Sequence, residues 1–115
     1  MPEQARRWRD YVTANGRRPV LEFFAKLSAE DHAQVAAAMR DVKEKGLIVA
    51  RHVRGEIYEV RASGVDQEFR VLFATEGRRS QVLLSLEAFS KKTQKTPPPK
   101  IVLAERRLAD WRRRG

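Results

Sequence analysis

Residues 57–75 read Ile57-Tyr58-Glu59-Val60-Arg61-Ala62-Ser63-Gly64-Val65-Asp66-Gln67-Glu68-Phe69-Arg70-Val71-Leu72-Phe73-Ala74-Thr75, and their period of two decides the fold. Side chains alternate along a strand, so in a first arm, residues 57–62, Glu59 and Arg61 share one face while Tyr58 and Val60 take the other. In the second arm, residues 68–75, Glu68, Arg70 and Leu72 lie opposite Phe69, Val71 and Phe73. Ser63-Gly64-Val65-Asp66 between them is turn chemistry, which makes the pair an antiparallel hairpin. The aromatic face belongs to the core. Glu59, Arg61 and Arg70 are therefore expected together on an open face, in either of the two registers that alternation permits. One of these sets Glu59 against Arg70 and Arg61 against Glu68, surface ion pairs that contribute only about 0.2–1 kcal/mol each.

Outward from the hairpin, residues 81–89 read as a third strand, and Val82-Leu83-Leu84, apolar on both faces, predicts that it is central. The connection that follows ends in Thr96-Pro97-Pro98-Pro99. Thr96 is expected to cap a helix whose first turn holds the prolines, because first-turn N–H groups have no partner within the helix to lose. Ile101, Ala104, Leu108 and Trp111 then recur at steps of three and four, so the C-terminal helix packs by one stripe and leaves Arg106, Arg107 and Arg112 to Arg114 in water. On the N-terminal side, residues 7–13 alternate as a strand up to Asn15-Gly16. A short helix after Pro19 carries Val20, Phe23, Phe24 and Leu27. Ser28 with Asp31 resembles a capping box, and the helix it opens shows Val35, Met39 and Val42 before closing on Lys43, Lys45 and Gly46. His32 falls in its first turn, facing solvent. The predicted architecture is one α+β domain over residues 1–115: two N-terminal helices and a C-terminal helix, mainly on one face of a small antiparallel sheet.

The 115 residues suffice for one core, and 42% of them are hydrophobic. No run approaches the roughly 20 apolar residues of a membrane span, and the first residues offer no secretory signal, so a cytoplasmic protein with no membrane partner is expected. The absence of cysteine excludes disulfides, thiolate metal sites and a cysteine nucleophile. Lys and Arg exceed Asp and Glu by 24 to 15, and residues 76–115 alone hold 11 basic against 4 acidic residues. A basic surface confined to one third of the chain attracts phosphate polymers, and acidic proteins or anionic membranes less specifically. The alternative is a solvated face with no partner.

Arg61 and Arg70 from neighbouring strands, with Lys91 and Lys92 arriving after Phe89, would repel one another around a concavity unless an anion sits there. A phosphate satisfies all four, and arginine binds it bidentately. These residues also carry a resemblance. The runs Arg54-Gly55-Glu56-Ile57-Tyr58-Glu59-Val60-Arg61, Phe69-Arg70-Val71-Leu72-Phe73, Phe89-Ser90-Lys91-Lys92-Thr93-Gln94-Lys95-Thr96-Pro97 and Ala104-Glu105-Arg106-Arg107 resemble the phage-derived Gp49-like, HigB branch of the RelE/ParE toxin superfamily. The lysine-rich run is the specific part, and the resemblance covers nearly the whole chain.

It implies a RelE-like fold and the toxin of a type II toxin–antitoxin pair: an mRNA interferase cutting message, usually on the ribosome, without metal or other cofactor. Its partner would be a small antitoxin encoded beside it, of the helix-turn-helix, HigA-like kind. The ribose 2′-hydroxyl would attack the adjacent phosphate in line. Carried over by residue, Arg61 and Arg70 match the strand positions that contact the scissile phosphate, and Lys91 and Lys92 the basic pair after the last strand. Arg70 and Lys92 would take the transition-state charge and Arg61 orient the phosphate, while Glu59 supports Arg61 or serves as general base. Lys95, Arg54 and His52 complete the expected RNA contacts. Where several relatives place a tyrosine or histidine near the C-terminus, this chain has Trp111 followed by arginines. Proton transfer then falls to His52 or to a lysine crowded by cations, although a lone histidine entering a strand is more often structural. Two other functions fit the same features: a nucleic-acid-binding module without catalysis, and a ParE-like toxin directed at gyrase.

Overall fold

The computed structural model describes residues 5–91 and 95–114. Its strands and helices run β1 (Arg7–Asp10), α1 (Pro19–Ala25), α2 (Ala29–Lys45), β2 (Arg51–Arg54), β3 (Ile57–Ser63), β4 (Glu68–Glu76), β5 (Val82–Lys91) and α3 (Pro98–Arg114), with a 3₁₀ turn at Gly46–Val49 between α2 and β2. One five-stranded sheet has the order β1-β5-β4-β3-β2. The chain is an α+β protein, as the alternation of the hairpin predicts. In β3–β4 the register sets Arg61 directly opposite Arg70 and Ser63 opposite Glu68. This is the register without the Glu59–Arg70 and Arg61–Glu68 cross-strand pairs.

Two expectations are corrected. The sheet is not wholly antiparallel, because β1 runs parallel to β5, with Trp8 opposite Leu83 and Arg9 opposite Leu84. Nor do the helices share one face. Val60, Ala62, Phe69, Val71, Phe73, Leu83 and Ala88 bury one side of the sheet with Val20, Val35 and Val42 of α1 and α2. Ile57, Leu72, Ala74, Leu84, Leu86 and Phe89 bury the other with Ala104 and Leu108 of α3. A sheet with helices on both sides needs apolar residues at both parities, and the run from Val82 to Phe89 is buried throughout. The face expected to be open is thus covered, at one end, by α3.

Local chemistry holds these elements in place. Ser28 Oγ accepts from Asp31 N at 3.1 Å and caps α2. Asp31 departs from the capping box: its Oδ1 accepts from Val65 N at 2.9 Å and ties the β3–β4 loop to the helix. Gly64 in that loop is required by space, since a Cβ there would lie 2.3 Å from the Phe69 ring and 2.6 Å from Asp31 Oδ1. A bulge in β5 opposite Leu72–Phe73 brings consecutive Leu86 and Glu87 to α3. Glu87 receives Lys100 at 2.8 Å and Arg107 at 3.2 Å. Pro98 and Pro99 open α3, and Pro97 O accepts from Ile101 N at 3.4 Å.

Candidate phosphate-binding site

The site lies on the α3 side of the sheet, at the hairpin end that α3 leaves uncovered. Alternation delivers Glu59 and Arg61 from β3 and Glu68 and Arg70 from β4 to this face. Glu59 is its hub: Oε1 accepts from Arg61 Nε at 2.7 Å and lies 3.8 Å from Arg70 Nη1, and Oε2 accepts from the Thr96 hydroxyl at 2.5 Å. Arg70 Nη1 donates to Thr96 Oγ1 at 3.4 Å, and its Nη2 lies 3.1 Å from Glu68 Oε2. Arg70 and Glu59 are sealed from solvent, at 0% and 1% exposure, whereas 30% of the Arg61 side chain is accessible.

This corrects the picture of cations awaiting an anion. Two carboxylates are built into the cluster, and Arg70 stands behind the cleft instead of lining it. Thr96 is corrected as well. Its hydroxyl serves Glu59 and Arg70 in place of a helix cap, so it ties the start of α3 to the buried ion pair.

In front of the pair opens a cleft of about 340 Å³ lined by Arg51, His52, Val53, Arg61, Lys95, Thr96 and Ile101. Three of these carry positive charge: Arg51, Arg61 and Lys95. Arg51 pairs across the ladder with Glu59 and so projects to the same face. His52 borders the cleft, but its Nε2–H donates to Gly55 O at 2.8 Å and its ring packs on Tyr58, 5.0 Å between centroids. Its side chain is committed to the β2–β3 turn. Lys91 ends β5 opposite Glu68 and lines a neighbouring cleft of about 530 Å³ with Ser63, Gly64 and Glu68. Lys92, a predicted catalytic residue, lies outside the described residues.

Arg54 is not brought to the cleft. It forms a bidentate pair with Glu105 of α3, at 2.5 and 3.2 Å. That pair raises the arginine's pKa and lowers the carboxylate's through their mutual hydrogen bonds. The structure therefore gathers Arg61, Lys95, Glu59 and Arg70, places Lys91 next door, and adds Arg51, which sequence reasoning did not single out, and Thr96, which it offered only as a helix cap. The signal for Arg51 was available. It shares parity with Val53, which packs under α3, but an edge strand of four residues is too short for its pairing to be read. Among the described residues, no three His, Asp or Glu side chains converge as metal ligands.

Comparison with known proteins gives the same stretch of chain a family. The family model described as phage-derived protein Gp49-like matches residues 22–109, a span that includes every residue of both clefts. Two curated proteins named "Probable endoribonuclease HigB1", from Mycobacterium tuberculosis strains CDC 1551 / Oshkosh and ATCC 25618 / H37Rv, are each 32% identical over 109 residues. The alignments cover 92% of this chain and 85% of those proteins.

Proposed function

The chain belongs to the phage-derived Gp49-like family of RelE/HigB-type toxins, and from that premise we propose that it is an endoribonuclease, the toxin of a toxin–antitoxin pair, acting on messenger RNA at the ribosome. The observation that carries this reading is the cleft in which Arg51, Arg61 and Lys95 stand before the buried Glu59–Arg70 pair. Arg51, Arg61, Arg70 and Lys95 outnumber Glu59 and Glu68, so the cluster keeps a net positive charge suited to a phosphodiester.

Arg61 is the residue placed to meet the scissile phosphate. Glu59 takes its Nε and fixes the plane of the guanidinium, so a side chain that lines the cleft and stays 30% exposed has little freedom to lose on binding. Arg70 and Thr96 hold Glu59 from behind and act as positioning residues. Glu59, already engaged by Arg61 and Thr96, serves as a support and not as the general base. The ribose 2′-hydroxyl attacks phosphorus and gives up its proton to water, the bond to the 5′-oxygen breaks, and the leaving oxygen takes up a proton from water, so that no proton is gained or lost overall. The products are a cyclic phosphate and a 5′-hydroxyl end. The protein contributes orientation and cations aimed at charge that develops on the phosphoryl oxygens, with no metal in the step. Lys91, on the neighbouring cleft, extends the cationic rim along the message.

Induction in a bacterial host tests the function. Growth arrest, new 5′-hydroxyl ends within coding sequence, and rescue by a small helix-turn-helix protein encoded beside the toxin are the expected results. Growth arrest with intact message would contradict it and turn the search towards gyrase.

A further inference from the structure

At the far end of α3 a second basic face remains that the cleft does not use. Arg9 of the edge strand β1 lies with its guanidinium 5.0 Å over the Trp111 ring, and Arg107 and Arg114 lie 5.6 and 5.5 Å from the Tyr11 ring. Arg7 shares the parity of Arg9 and is exposed, as is Arg106 on α3. Arg106 and Arg113, seven residues apart, lie on one outward stripe of the helix.

Among the described residues two carboxylates answer this group. Asp110 pairs with Arg113 and Arg114, and Glu87 pairs with Arg107 and Lys100. Among the described residues, Arg7, Arg9 and Arg106 form no ion pair. Like charges at that density are destabilising unless they serve a ligand.

We propose that this face is a second contact for the RNA backbone. The claim rests on the reading above for the identity of the polymer. Two features favour RNA over an acidic protein. Val102 is the one large apolar residue exposed on α3 among the described residues, whereas a protein interface has an apolar core. Half-buried Trp111, with the Arg9 guanidinium over its ring, gives an aromatic–cationic surface of the kind on which single-stranded bases and phosphates bind, while Tyr11 is buried beneath Arg107 and Arg114. From Pro98 to Trp111 the helix rises roughly 20 Å, so the face meets RNA several nucleotides away from the phosphate in the cleft. A short oligonucleotide cannot reach both.

The test is fluorescence anisotropy with 2′-O-methyl RNA, which lacks the attacking hydroxyl, at lengths of about five and about fifteen nucleotides. The double variant Arg9→Gln/Arg106→Gln removes two exposed cations outside the cleft and should melt like the wild type. It should bind the longer RNA about tenfold more weakly, with a salt slope shallower by about 1.4, and bind the shorter one as the wild type does. Unchanged affinity and slope for the longer RNA, or an equal loss for both lengths, would overturn the proposal. So would loss of polyglutamate binding with RNA binding intact, which would assign the face to an acidic protein. Cleavage that survives Arg61→Ala removes the functional reading and leaves this surface standing. A wild-type slope in the double variant removes the surface alone.

Discussion

Arg70 shows how far a residue's role depends on what covers it. Seen along the strand it is a cation on the polar face. In the fold it is wholly buried, held by Glu59, Glu68 and Thr96. Taking one partner from a buried ion pair leaves an uncompensated charge, which typically costs about 3–5 kcal/mol. Arg70→Ala is therefore expected to lower the urea midpoint by that equivalent, and its loss of activity reports folding as well as chemistry. Adding Glu59→Gln should recover part of the stability, because the stranded carboxylate is gone. A single variant that unfolds at the wild-type midpoint would show that the pair is not what holds this corner.

The parity of Glu59, Arg61 and Arg70 could be read before any coordinates, because alternation is local. Their burial could not, because it involves residue 96, which precedes α3 and lies thirty-seven positions from Glu59 along the chain. The open face predicted for them failed for that reason.

At the scale of elements, caps and turns were legible where their signals are short-range. Ser28 caps α2, and Pro98 and Pro99 open α3. The parallel pairing of β1 with β5 was not legible, because residues 7–10 and 82–85 share no local signal and meet only once α1 and α2 have been laid between them. The hairpin register turned on the loop, in which Gly64 N donates to Gln67 O at 2.8 Å and Asp31 holds Val65. Gly64→Ala would force Phe69 or Asp31 to shift, and is expected to cost about 1–3 kcal/mol in chemical denaturation. A neutral result would mean that the loop relaxes without moving the strands.

The docking of α3 has an electrostatic signature. Hydrogen bonds from Arg54, Arg112 and Tyr11 hold Glu105, Glu56 and Asp110, respectively, below the usual carboxylate range. Groups depressed in the folded state stabilise it above their unfolded pKa and lose that contribution as the pH falls through the folded one. Thermal stability should thus be insensitive to these groups from pH 7 to about 5 and decline below about pH 4, with Glu105→Gln showing a shallower decline. All three groups are near the surface, so the effect is modest and weakens in salt. An equally steep acid limb in Glu105→Gln would remove the Arg54 pair from the account.

For the whole molecule, the formal charge of +9 includes two separate basic surfaces, the cleft at the start of α3 and the arginine face at its end. Composition located the excess in the last third of the chain, but the fold draws Arg51 and Arg61 to the cleft, and Arg7 and Arg9 to the arginine face, from outside that third. The central claim is that the cleft is where RNA is cut and that Arg61 meets the phosphate. It is tested most directly by cleavage of message in a translation extract, comparing Arg61→Ala with Arg54→Ala, an arginine engaged by Glu105 outside the cleft. The account predicts a loss of about 10²–10³-fold per folded molecule for Arg61→Ala, whose thermal stability falls because buried Glu59 loses its 2.7 Å partner, and near wild-type cleavage for Arg54→Ala. Equal cleavage by the two variants would contradict it.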